Sequence, residues 1–207
     1  PARFPPTEGR VRRDRWPVRL TGLTHREEHP GVTELTATNH LTVPLTTVYQ
    51  GWDGFQRNLV KAIAPLSREQ LALPAAPTHW PIGMLVQHII NDRLWWFDLW
   101  MGEARPEEAS FMHWEEEEKG DSIHSADELI AGLEATWGMI ERALAQWTVA
   151  DLNAVFEPPA SLTAAERAIF GPSTRQEIIF HVLRHDIHHG GELAVGMGQY
   201  HLPTIWG

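Results

Sequence analysis

The run Phe180-His181-Val182-Leu183-Arg184-His185-Asp186-Ile187-His188-His189-Gly190-Gly191-Glu192-Leu193 holds four of the twelve histidines of the chain. Its reading decides the fold. Ser173 followed by Gln176 has the pattern of a capping box, and apolar spacing carries a helix from there to about Met197, where Gly196 and Gly198 offer a stop. At roughly 100° per residue, with His185 at zero, His189 falls near 40°, Glu192 near −20°, His181 near −40° and His188 near −60°. The apolar residues Ile178, Ile179, Val182, Leu183, Ile187, Leu193 and Met197 spread from about 20° to 200° on the same wheel. The histidines therefore form one stripe along the edge of the buried face. His185 and His189, four apart, stack one turn above the other and present two imidazoles to one divalent ion. A single histidine on a helix is ordinarily solvated or hydrogen-bonded, but a pair at the buried edge needs partners for its ring nitrogens.

Outward from this helix, the rest of the chain supplies three more. Apolar residues recur at helical spacing from Thr42 to Ala64 through Val48, Trp52, Phe55, Leu59 and Ile63, with Pro44 in the first turn; Pro65 ends this helix and Ser67 to Leu71 add a short turn. Pro81 suits the first turn of a second helix that runs to about Met101, before Gly102. Relative to His88 on this helix, Met84, Asp92, Trp95 and Leu99 lie on one side, which predicts an inward-looking stripe with Asp92 one turn beyond the histidine. Residues 103 to 124 form a polar connection, and the run Glu115 to Glu118 within it reads as a solvated face. Ser125 and Glu128 form a second capping box, opening a helix through Leu129, Leu133, Trp137, Ile140 and Leu144 to about Trp147. Pro158-Pro159 marks a loop, Thr163 to Ile169 a further turn of helix, and Gly171-Pro172 the entry to the histidine helix. Nothing alternates with period two. The fold class predicted is all-α, a four-helix bundle over residues 39–207.

Residues 1–38 show neither period and carry Pro5-Pro6 and Pro30-Gly31, so they read as an irregular N-terminal extension. The net charge is −10. Residues 1 to 40 hold seven arginines against five acids, +2, and the remainder ten bases against twenty-two acids, −12. An acidic body is a poor platform for nucleic acid. No apolar run is long enough to cross a bilayer and no signal-peptide pattern opens the chain, so a soluble cytoplasmic protein with no membrane partner is expected. With no cysteine, the chain has no disulfide and no thiol nucleophile, and its metal chemistry is limited to nitrogen and oxygen ligands. Any thiol must come from a bound small molecule. The ten tryptophans are available for core, pocket or a homodimer interface.

Bundle cores build metal sites from facing helices. His88 with His185 and His189 would leave one coordination position for water or substrate, the pattern of an open catalytic site. The absence of any Glu-x-x-His removes the di-iron carboxylate alternative.

His79-Trp80-Pro81-Ile82-Gly83-Met84-Leu85-Val86-Gln87-His88-Ile89 and His185-Asp186-Ile187-His188-His189-Gly190-Gly191-Glu192 resemble the two motifs of the DinB-like family of metal-binding four-helix bundles. These are its tryptophan-then-histidine second helix and its final His-x-x-His-His-x-Gly-Gln segment. The resemblance covers about residues 40 to 200, with Glu192 standing where the family often has Gln. It implies a triad of His88, His185 and His189 on a divalent cation such as zinc or nickel. His181 and His188 are pocket-lining or supporting groups, as Glu192 would be, and Asp92 is a candidate to orient His88. Gly190 and Gly191 cost helix propensity, which predicts close approach of a neighbouring helix. The activity implied is hydrolysis or thiol transfer on a small-molecule substrate, the thiol being of low molecular weight, with Trp95 and either Trp52 or Trp137 as pocket wall. The alternative is a non-catalytic metal-binding stress-response protein whose ion links two helices.

Overall fold

Thr174 caps the histidine helix, one residue later than the sequence pattern suggests. In the computed structural model, which describes residues 42–77, 79–114 and 124–205, Ser173–Thr174 forms a two-residue strand, β2. It pairs antiparallel with β1, Val155–Phe156. This places Thr174 at the helix entrance, where the Glu177 carboxylate accepts from its backbone N–H and its hydroxyl, each at 2.8 Å. A carboxylate is a stronger acceptor than the Gln176 amide and complements the helix N-terminus, so the box closes on Glu177. The small strand pair departs from the expectation of no strands; it fixes the entry to the helix and adds no layer.

The chain then runs as α1 (Leu45–Val48), α2 (Trp52–Ile63), α3 (Arg68–Leu71), α4 (Ile82–Leu94), α5 (Pro106–Ala109), α6 (Ala126–Gln146), α7 (Ala164–Ile169) and α8 (Arg175–Gln199). α4 continues without interruption into a π-helical segment, Trp95–Trp100. The bundle is made of α2, α4, α6 and α8: α4 packs against both α6 and α8, and α2 against α6. Leu59, Ile63, Leu85, Ile89, Leu133, Ile140, Val182 and Leu193 are fully buried in its core. Among the described residues no helix is long and apolar enough to cross a membrane.

The expected first helix, Thr42 to Ala64, is broken in two. Gly51 adopts φ +96° at the start of α2, a left-handed conformation that ends one helix and restarts another, and Val48 on the short α1 is half exposed. Pro81 stands at the N-cap of α4, just outside its first turn. α4 is buried on nearly every side. His88 and Asp92 are its partly exposed residues, so the stripe carrying His88 is the least buried of this helix, not its most inward. On α8, Ile187 is 51% exposed while Asp186 and Gly190 are buried; the apolar face is therefore narrower than the wheel suggests and centres near Asp186. Gly196 does not end α8 either. A Cβ there would lie 2.6 Å from the Ala75 carbonyl oxygen, so this glycine serves close packing and the helix continues to Gln199. The box at Ser125 forms as expected, and a further box, Thr163 with Glu166, opens α7. The extension 1–38 and the acidic run Glu115 to Glu118 lie outside the described residues.

Candidate metal centre

The setting of α8 against α4 is determined by a buried ionic node. The Arg93 guanidinium of α4 and the Asp186 carboxylate of α8 meet at 2.7 Å, both side chains wholly buried. Trp52 Nε1 donates to Asp186 at 2.8 Å, Arg93 donates to Gln56 Oε1 at 2.8 Å, and Gln56 donates to the Leu133 carbonyl of α6 at 3.0 Å. All four bundle helices are thus joined by one satisfied network. A buried charge without such partners would be strongly destabilising, so sliding or rotation of α8 is penalised.

Held in that register, α8 turns its histidines toward His88. His88 Nε2 and His185 Nε2 lie 3.1 Å apart, and the ring centroids are 4.8 Å apart for His88 and His185, 4.9 Å for His88 and His189, and 4.3 Å for His185 and His189. One ligand atom from each of the three comes within 4.8 Å of the others. Gly190, next to His189, lets α2 come close to α8: a Cβ there would lie 2.6 Å from Phe55 Cζ of α2. Gly191, by contrast, has open space around it, and close packing does not explain it. Trp80 packs edge-on to the His88 ring at 4.9 Å.

The charge state suits a cation. Burial, then the proximity of His189, His88, His181 and His188, lowers His185 from its ordinary 6.5 to about 2. Burial also lowers His189, against an opposing hydrogen bond from Glu192. Both rings are therefore neutral near pH 7, the form that binds metal. For a tetrahedral ion with nitrogens at roughly 2.0 Å, neighbouring ligand atoms stand about 3.3 Å apart. The 3.1 Å spacing of the His88 and His185 nitrogens is close to that. The donor set, three imidazoles without sulfur, suits zinc or nickel, so the residues present fit the ion that the family resemblance implies.

Around the three rings, the remaining candidates take up particular places. Asp92 faces His185 and His181: its Oδ2 is 3.3 Å from His185 Nδ1, and its Oδ1 is 3.6 Å from His181 Nε2. α8 presents His181 and His185 on successive turns to this carboxylate, which lies one turn along α4 from His88. Burial raises the Asp92 carboxyl above the ordinary range, with His181 opposing. Glu192 Oε2 accepts from His189 Nδ1 at 2.6 Å. Burial pushes Glu192 up, yet hydrogen bonds from His189 and His79 outweigh it and the group lies below its ordinary value. His188 is 64% exposed and approaches Glu192 Oε1 at 3.3 Å.

A cavity of about 240 Å³ opens beside His88, with His181, Asp92, Trp95, Trp96 and Phe170 in its walls. The expected wall residues Trp52 and Trp137 stand elsewhere. They pack on each other at 5.7 Å, with Trp52 held by Asp186. Trp96 and Phe170 take their place; Trp95 and Trp96 enter on the first turn of the π-helical segment, a distortion frequent at functional sites. Neither Phe170, in the link after α7, nor the Arg93–Asp186 node was evident from spacing, although an aspartate in the middle of the α8 apolar face was a signal for the latter.

A helical bundle with an open three-histidine cluster between two of its helices defines a class of candidate metal proteins. A model of the DinB superfamily matches residues 52–193, and the chain belongs to that superfamily. A DinB-like protein from Bacillus cereus ATCC 10987 is similar in structure, with a TM-score of 0.51 and 21% identity, covering 74% of this chain and 90% of that one; at this identity the likeness concerns the fold. No curated protein matches the chain significantly.

Proposed function

We propose that this protein is a divalent-metal-dependent enzyme, a hydrolase or thiol S-transferase, in which His88, His185 and His189 hold a zinc or nickel ion. The observation that carries the reading is the convergence of three imidazoles from two helices beside a cavity that shares His88 with them. When bound, the ion supplies Lewis acidity and lowers the pKa of a water or thiol at its remaining position. The side chains do the rest. Trp95, Trp96 and Phe170 offer an apolar wall for the electrophile and exclude water from that side. Asp92 and Glu192 orient His185 and His189. The nucleophile is external, because the chain has no cysteine.

The cavity favours catalysis over a purely structural ion, since a closed site would need a fourth protein ligand and no access. The test is metal analysis of the purified protein beside His185→Ala, followed by turnover of thiol-plus-electrophile pairs and of esters or amides. About one ion per chain, lost in the variant, and turnover that follows the ion are expected. Metal-loaded protein that turns over neither substrate class above buffer would leave the non-catalytic reading.

A further inference from the structure

Glu192 is held from both sides. Its Oε2 receives His189 Nδ1 at 2.6 Å, and its Oε1 lies 3.3 Å from His79 Nε2. His79, which precedes α4, has its tautomer decided by the backbone: the Trp80 N–H donates to His79 Nδ1 at 2.8 Å. A nitrogen that accepts cannot carry the proton, so the neutral ring carries it on Nε2 and aims it at Glu192. For the same reason His79 is not itself a ligand. A metal on Nε2 would require a proton on Nδ1, directly against the Trp80 N–H. The outer grouping of His188, His189 and Glu192 is likewise accounted for without a second ion, because His189 Nδ1 is engaged with the carboxylate.

We infer that His79 is a positioning residue of the centre: acting through Glu192, it holds His189 as the Nδ1–H tautomer and leaves the lone pair on Nε2, the nitrogen available to a shared cation. The chain of donors runs from the Trp80 N–H to His79, from His79 Nε2–H to Glu192, and from His189 Nδ1–H to the same carboxylate. A similar order recurs on His185, where Arg184 donates to His181 Nδ1 at 3.1 Å and His181 Nε2 faces Asp92. The contacts to Asp92, at 3.3 and 3.6 Å, are longer than the 2.6 Å bond at Glu192. The His79 arm is therefore the tighter of the two, and it does not line the cavity, so its role is separable from substrate binding.

The tautomer does not depend on a metal, whereas the effect on affinity rests on the function proposed above. Imidazole nitrogen NMR of metal-free protein and a zinc titration of the same samples test both. Wild-type His189 is expected as a single Nδ1–H tautomer. His79→Ala should give a tautomer mixture and zinc affinity about tenfold weaker, as for other groups that orient a metal-bound histidine. His79→Gln, whose amide N–H can still donate to Glu192, should restore both. His188→Ala should leave the tautomer unchanged although His188 approaches the same oxygen. In a Glu192→Ala background the His79→Ala change should add nothing. The inference is overturned if His79→Ala leaves the His189 tautomer as in wild type, if its effect persists without Glu192, or if His188→Ala has the larger effect. A wild-type protein that binds no zinc would remove the proposed function, while the tautomer comparison would still decide the role of His79.

Discussion

Two polar clusters lie side by side between α4 and α8, and they are built on opposite terms. At Arg93 and Asp186, opposite charges are wholly buried and each is met by partners from the other bundle helices. One turn away, at His88, His185 and His189, groups of the same kind converge, each bringing a ring nitrogen to the same space. His185 Nδ1 and Asp92 Oδ2 approach only to 3.3 Å, a looser contact than the 2.6 Å one between His189 and Glu192. The first cluster is complete in the protein alone and so sets register. The second has no such complement within the cluster, and under the proposed function a cation would supply it. The stability of the one holds the incompleteness of the other in place.

That contrast can be broken at several points. The largest effect on stability is expected from Asp186→Ala, which strands the Arg93 charge in the core and should cost about 3–5 kcal/mol in denaturant unfolding; a loss under 1 kcal/mol would mean the node is not a register device. Gly196→Ala should cost about 1–3 kcal/mol, because its Cβ meets the Ala75 backbone and overpacking outweighs the helix propensity of alanine. His185→Ala should do the reverse of Asp186→Ala, with near-complete loss of bound zinc by elemental analysis but metal-free unfolding close to wild type.

Acid sharpens the same distinction. His185 is lowered to about 2 in the folded protein against an ordinary 6.5, so below 6.5 the unfolded chain takes up a proton that the folded one refuses. Its contribution to stability is present above pH 6.5 and is lost progressively as pH falls from there toward 2. Thermal melts of metal-free protein should show this decline, and His185→Ala should flatten it. The smallest effect is expected from Phe170→Ala in the cavity wall, which should leave bound zinc unchanged while raising KM for an apolar electrophile; a drop in zinc content would place Phe170 in the metal centre and not in the substrate wall.

Much of this arrangement was legible in the chain. Capping residues and apolar spacing located α6 and α7 closely, and the proline and glycine punctuation separated the bundle segments. The four-residue step from His185 to His189 placed two imidazoles on one side of α8 because that geometry is local. Errors arose where a neighbour decides. Gly51 reads as one more helical residue until its backbone turns left-handed, and the α8 box shifts to Thr174 because pairing with β1 keeps Ser173 and Thr174 extended ahead of the helix. The wheel centred on His88 correctly grouped Asp92 with it, but could not show that α4 is enclosed on its other sides.

What the amino-acid sequence determined by itself is which residues share a helix face, since 3.6 residues per turn is a property of the backbone. It therefore settled the helical class, the pairing of His185 with His189 on one side of α8, and the grouping of His88 with Asp92 on one side of α4. Which face meets which was decided only by packing: Asp92 against His185, Glu192 between His79 and His189, and Phe170 in place of Trp52 at the cavity. These contacts join residues far apart in the chain, and their partners follow from how the Arg93–Asp186 node and the glycine approaches seat one helix on the next.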